Sequence, residues 1–201
     1  MEWLGWSGRE LLLASGSPRR RSLLTQMGVS FRAVPVDVDE SMLGEGAPSP
    51  SAVALRRAAG KAAAAGRRAP EALVLAADTL VVAPDGQELG KPRTADRNRL
   101  MLQALSGRRH SVFTAVVLRA ADQERSSVEL CRVVFRDLTS LEQDAYAASG
   151  EGWDKAGGYA IQGVASAFIQ RIEGDYTAVV GLPLCRLSRL LAEFGIHLGS
   201  G

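Results

Sequence analysis

Apolar and polar positions along this chain switch between a strand-like and a helix-like spacing, and the switches mark its elements. Glu10-Leu-Leu-Leu-Ala14 is a short apolar run that predicts a buried strand. Ser17-Pro18 then supplies an N-cap with proline at the first helical position. Leu23, Leu24 and Met27 form an apolar stripe, and Gly28 closes the helix. Phe31 to Val38 reads as the next strand, Gly44 to Pro50 as a loop, and the Ala-rich segment Ser51 to Gly66 as a helix. Ala72 to Val82 predicts a strand ending in a Pro-Asp-Gly turn at Pro84 to Gly86. Thr94 caps a helix to Leu105, stopped by Ser106-Gly107. His110 to Leu118 and Ser127 to Phe135 read as paired strands joined by a polar turn at Ala121 to Arg125. A helix from Ser140 to Ser149 follows, then a Gly-rich stretch, strands at Ala167 to Ile172 and Thr177 to Val180, and an amphipathic helix from Leu182 to Phe194. Strands alternating with helices, hairpins included, predict an α/β fold with a mixed twisted sheet flanked by helices.

Composition narrows the function classes. The 201 residues fit one compact domain, or at most two lobes sharing a core. Hydrophobic residues at 46% and charged ones at 23% exclude disorder and low-complexity filament. A net charge of +2 is too weak to argue for nucleic acid, and no apolar run reaches the roughly 18 residues that span a bilayer. Neither nucleic acid nor membrane is expected as a partner. The first ten residues lack a positive region ahead of an apolar core, so no signal peptide is read there. Cys131 and Cys185 lie outside any CxxC spacing, which suits a reducing cytoplasm, and two histidines, His110 and His197, make a His-based metal site or a Ser-His-Asp triad a poor fit.

Four stretches carry candidate chemistry. Ala14-Ser-Gly-Ser-Pro-Arg-Arg-Arg21 leads a strand through small residues into a helix whose first turn holds three arginines. Cations at a helix N-terminus oppose the macrodipole. Either the turn is a solvated basic one, or an anion sits there, and amides plus guanidinium forks make a polyphosphate cradle. In Leu73 to Val82, Asp78 interrupts a strand otherwise apolar on both faces. A carboxylate so placed is paired with a cation, or it serves as a Mg²⁺ ligand or a base for water, with Glu40 as a second carboxylate. Gly90-Lys-Pro92 holds a lysine after a turn, and Trp153 to Gly163 combines glycines with Asp154, Lys155 and Gln162, whose amide suits a pyrimidine edge. Against 21 Arg the chain keeps three Lys, Lys61, Lys91 and Lys155, so each lysine is a candidate for a site that wants a compact point charge.

Together these motifs amount to a resemblance. Ser15-Gly-Ser-Pro-Arg-Arg20, Ala77-Asp-Thr79, Gly90-Lys-Pro92, Ser106-Gly-Arg-Arg-His-Ser-Val-Phe-Thr114, Asp154-Lys-Ala-Gly-Gly-Tyr159, Ile161-Gln-Gly163 and Val180-Gly-Leu-Pro183 resemble the Maf family in order and spacing, from about Leu11 to Phe194. The resemblance implies an inosine-triphosphatase-like fold with an active-site cleft between two lobes. It divides the chain into an extension at 1–10 (with Trp3 and Trp6), one domain at 11–196 and a tail at 197–201. It implies a homodimeric hydrolase that uses Mg²⁺, or another divalent cation such as Mn²⁺, to split nucleoside triphosphates into monophosphate and pyrophosphate. Arg19, Thr79, Asp154, Lys155 and Gln162 are similar to the branch acting on dTTP and UTP. Carried over residue by residue, Asp78 and Lys91 are the catalytic positions. Ser15, Arg19, Arg20, Lys61, Thr79, Asp154, Lys155 and Gln162 are substrate-binding, and Asp78 with Glu40 would hold the metal. The sequence departs from the family pattern around Lys61, where Arg57 replaces the usual Leu and Gly60 a frequent Glu. The alternative reading is a nucleotide-binding regulator of septum formation in cell division.

Overall fold

A computed structural model describes residues 10–121 and 123–197. Strands β1 (Leu11–Leu13), β2 (Arg32–Ala33), β3 (Leu73–Val82), β4 (Glu88–Leu89), β5 (Arg109–Ala120), β6 (Gln123–Phe135) and β7 (Ile169–Glu173) form one mixed sheet in the order β2-β1-β3-β5-β6-β7, with β4 on β3. Helices α1 (Pro18–Gln26), α2 (Glu40–Gly44), α3 (Pro50–Gly66), α4 (Ala95–Leu105), α5 (Ser140–Ser149), α6 (Tyr176–Val180) and α7 (Leu184–Glu193) complete the α/β architecture. The chain divides into two compact units. The first takes the described residues up to Asp78, Thr114–Glu129 and those from Gly181 on; the second takes Thr79–Phe113 and Leu130–Val180. The extension's residues 1–9, Trp3 and Trp6 among them, lie outside the described residues, as does the tail beyond His197.

In the first unit β1 pairs in parallel with both neighbours, Leu12 opposite Arg32 and Leu13 opposite Leu75. All three β1 leucines are buried, as expected for a parallel strand covered on both faces. α1 starts with Pro18 in its first turn, and Gly28 takes the left-handed conformation just past its end, at φ 72°. α3 is capped by Ser49, whose Oγ accepts from the Ala52 amide at 3.3 Å, and it buries Ala54, Ala58, Lys61, Ala62 and Ala65. In the second unit β3 turns through Pro84–Gly86 into antiparallel β4, with Val81 opposite Leu89. α5 opens with a reciprocal capping box between Thr139 and Glu142. His110, Phe135, Tyr159, Tyr146 and Phe168 pack edge to face around its core. Among the described residues no helix is long and apolar enough to cross a membrane.

Four elements differ from the sequence reading. The strand expected over Phe31 to Val38 shrinks to Arg32–Ala33, because Pro35 has no amide to offer a neighbouring strand. The stretch before the expected loop at Gly44 is helical, since the Asp39 carboxylate accepts from the amides of Ser41 and Met42 and starts α2. Thr177 to Val180 is helix and not strand. The Asp175 carboxylate accepts from the Thr177 amide at 2.7 Å and the Ala178 amide at 3.4 Å, and that cap outweighs the β-branched composition. The hairpin strands run further than expected, leaving a tight connection where Ala121 takes a positive φ of 50°.

Candidate active site

In the first unit the helical periodicity of α3 puts Lys61 on a buried stripe of alanines, and β3 carries Asp78 in an apolar run. A buried ammonium and a buried carboxylate each need a counter-charge. The Lys61 Nζ lies 2.6 Å from Asp78 Oδ1 and 2.6 Å from Glu40 Oε1. Lys61 is 8% exposed and Asp78 5%, while the Glu40 side chain is about half-exposed. One ammonium therefore bridges two carboxylates. The second oxygen of Asp78, Oδ2, is buried and accepts no hydrogen bond from the described residues. A carboxylate oxygen in that state is an unfilled acceptor.

The helix start lies in the same unit. Ser17 makes no side-chain cap, and its amide donates instead to the buried Ser15 Oγ at 3.2 Å. Arg20 is turned back onto the fold: its Nε donates to the Gly181 carbonyl at 2.8 Å and its Nη1 to Ser15 Oγ at 3.2 Å. Desolvation pushes the Arg20 guanidinium below its ordinary value. Asp78 and Glu40 oppose the shift and Arg19 adds to it, so Arg20 shares a field with both carboxylates. Arg21 Nη2 holds the Gly16 carbonyl at 2.9 Å. Arg19 is half-buried and forms no hydrogen bond or ion pair among the described residues.

The second unit holds the other sequence candidates. Asp154 and Lys155 pair with each other at 2.6 Å, and Lys155 Nζ also donates to the Glu151 carbonyl at 2.6 Å. Lys91 and Gln162 are exposed, and neither is bonded to the described residues. Thr79, the first residue of this unit, is half-buried in β3. The structure thus brings Glu40, Lys61 and Asp78 together, with Ser15-bound Arg20 in the field of both carboxylates, and within the second unit Asp154 with Lys155.

Three polar features escaped the sequence reading. Arg57 Nε donates to the Glu40 carbonyl at 2.8 Å. Asn98, fully buried, donates to the Gly158 carbonyl at 2.7 Å, and its place on the Leu102 and Leu105 stripe of α4 was the legible signal. His110, 1% exposed, bonds Tyr159 at 2.8 Å, and burial lowers its pKa to about 4. Its signal was the alternation His110, Val112, Thr114, all buried, on β5.

Chemically, the Asp78 carboxylate can accept a proton from water, and with Glu40 it offers the hard oxygen donors that a divalent cation takes. The orphaned Oδ2 is what makes the pair fit such an ion. Among the described residues no three His, Cys, Asp or Glu side chains cluster, so the rest of a coordination shell would come from water and ligand.

The chain matches the family described as "Maf-like protein" over residues 10–194. It is 46% identical over 189 residues to a protein of Syntrophomonas wolfei named "dTTP/UTP pyrophosphatase", covering 92% of this chain and 98% of that one. A protein of the same name from Chromobacterium violaceum is 45% identical over 195 residues, covering 94% and 96%. Among solved structures, a HAM1 protein from Coxiella burnetii aligns with 64% of this chain and 73% of its own at 17% identity and a TM-score of 0.48.

Proposed function

The chain belongs to the Maf family, and from that premise we propose that it hydrolyses dTTP and UTP to the nucleoside monophosphate and pyrophosphate. The observation that carries this reading is the Lys61 ammonium shared between Asp78 and Glu40, with Asp78 Oδ2 left unfilled. A site for binding alone has no use for a buried, half-satisfied carboxylate, whose burial costs stability. A base for water does.

Each residue then has a task. Asp78 accepts the proton of the attacking water. Lys61 supplies the counter-charge that a buried carboxylate needs and holds it in line with Glu40. Arg19, with its guanidinium uncommitted, and the uncapped amides of α1 meet the phosphates, while Arg20 is fixed by Ser15 and Gly181 as a preset positive charge. Mg²⁺ (or Mn²⁺) held by Asp78 and Glu40 would supply charge neutralisation on the phosphate oxygens. The remaining roles come from the sequence: Lys91 as a contact to phosphate, Gln162 as reader of the base edge, and Thr79, Asp154 and Lys155 as substrate contacts.

The same reading carries a homodimer and a cytoplasmic location, the latter in keeping with two cysteines, Cys131 and Cys185, that form no disulfide. The test is pyrophosphate release from dTTP, UTP, CTP and purine triphosphates with and without Mg²⁺, beside light scattering for the oligomer. Release from dTTP and UTP above the others is the expected result. Tight nucleotide binding with no release would sink the catalytic reading and favour the regulatory one.

A further inference from the structure

We propose that Arg57 and Gly60 are positioning residues that hold Glu40 against Lys61. The catalytic consequence rests on the pyrophosphatase reading, but the clamp itself rests on geometry. Glu40 opens α2, a helix of five residues. Helices that short have no stability of their own, so the conformation of α2 is imposed by its neighbours. Arg57 Nε donates to the carbonyl of Glu40 at 2.8 Å, and Arg56 Nη1 donates to the carbonyl of Glu45 at 2.9 Å. Two successive guanidinium groups of α3 thus grip the first residue of α2 and the residue that ends it.

Between the two grips Leu43 packs onto Gly60. A Cβ at Gly60 would stand 2.6 and 2.7 Å from the two Leu43 methyl carbons, and a Cβ at Gly44 would stand 2.9 Å from Val53 and 3.2 Å from Arg57 Nε. Glycine is a poor residue for a helix interior, so its presence at 60 is explained by the room it leaves for α2. Arg57 and Lys61 lie one turn apart on α3 and face the same way. Arg57 fixes the backbone of Glu40, and Lys61 receives its carboxylate at 2.6 Å. A half-exposed glutamate left to itself would sample many rotamers; clamped at its own carbonyl, it is delivered to the ammonium that Asp78 also holds.

The test uses Arg57→Leu and Gly60→Ala, each alone and combined with Glu40→Gln. On dTTP, each single variant is expected to lower kcat between about tenfold and a hundredfold, with a smaller change in KM. In the Glu40→Gln background neither is expected to lower it further, because both act through Glu40. Gly60→Ala adds a better helix former, which offsets the cost of displacing Leu43, so its Tm should stay close to that of the parent while its kcat falls. A purely structural residue would lose both together. Unchanged kcat in both variants, or a full further loss on top of Glu40→Gln, overturns the proposal. Water-exchange NMR on the Leu43 and Glu45 amides reads the clamp in a protein of any activity. At least tenfold faster exchange in Arg57→Leu, with β1 unaltered, supports it, and unchanged exchange overturns it. No pyrophosphate release by the wild type, together with the faster exchange in Arg57→Leu, would discard the enzymatic reading and keep the clamp.

Discussion

Removing the Lys61 ammonium should strand a buried carboxylate. Lys61→Met keeps most of the stem that packs among the alanines of α3 but leaves Asp78, 5% exposed, without its cation. Breaking a buried pair from one side costs about 3–5 kcal/mol. The Glu40 partner is half-exposed, and its loss adds at most about 1 kcal/mol. For a chain of this size each kcal/mol moves Tm by roughly 2–4 °C, so a total of about 3–6 kcal/mol should lower the midpoint by about 6–24 °C. The sharper part of the prediction is the cycle. Asp78→Asn in the Lys61→Met background removes the stranded charge and should recover at least about half of the loss, since an uncharged pair of similar shape needs no counter-ion. Urea unfolding followed by circular dichroism at neutral pH, with midpoints and slopes for the four proteins, reads both effects. A Lys61→Met protein within about 1 kcal/mol of the parent would refute the reasoning, and so would additive losses in the double variant.

Asp78→Asn alone should keep Tm near that of the parent, because Lys61 retains Glu40, and should lower dTTP hydrolysis by at least about a hundredfold; a well-folded variant within tenfold of wild type removes Asp78 from the chemistry. Gln162→Ala should reduce kcat/KM for dTTP and UTP by about ten- to a hundredfold and for CTP much less, since an amide that donates to a carbonyl and accepts from N3–H has like partners opposite it in cytosine. Equal losses on all three would leave Gln162 a support and not a reader. His110 gives a pH signature for stability. Its folded pKa lies at about 4 against 6.5, so below 6.5 the unfolded chain takes up a proton that the folded chain refuses. Stability from this group is complete above pH 6.5 and is lost as pH falls toward 4, by up to about 3 kcal/mol. His110→Gln should flatten that part of the profile, and a parent and variant with the same slope between pH 4 and 6.5 would contradict it.

Much of the fold was legible because local chemistry and tertiary demand agree. Ser17-Pro18 and Thr94 announce helices that exist, the helices read from Ser51 and Ser140 are there too, and the apolar run ending at Val82 is a strand buried along most of its length. Two of the misreadings share one cause. At Asp39 and Asp175 a short carboxylate bonds amides two and three residues on, and that local bond beat the strand or loop suggested by composition. In the candidate site, Asp78 was legible because it breaks an apolar pattern. Lys61 breaks one too, the Ala54, Ala58, Ala62, Ala65 stripe, and that signal went unused in favour of the family likeness. Arg57 could not be read at all. An arginine on a helix reads as a solvated face until the carbonyl it holds, here that of Glu40, is known.

The scarcity of lysine gains a partial physical account from where the three lysines sit. Lys61 Nζ meets oxygens of two different side chains, and Lys155 Nζ meets the Asp154 carboxylate and the Glu151 carbonyl. In both cases the acceptors converge on one point from separate residues. A rotating ammonium with three donors satisfies that arrangement, whereas a guanidinium presents its donors in a plane and matches two oxygens of one carboxylate, as Arg32 does with Glu10 and Arg136 with Glu142. Arginine thus serves where a carboxylate offers both its oxygens, and Lys61 and Lys155 sit where oxygens of different residues meet on one nitrogen. Lys91 has no such arrangement around it among the described residues. If convergence is what retains lysine here, its acceptors arrive from beyond the described residues, and the non-bridging oxygens of a polyphosphate are acceptors of that kind.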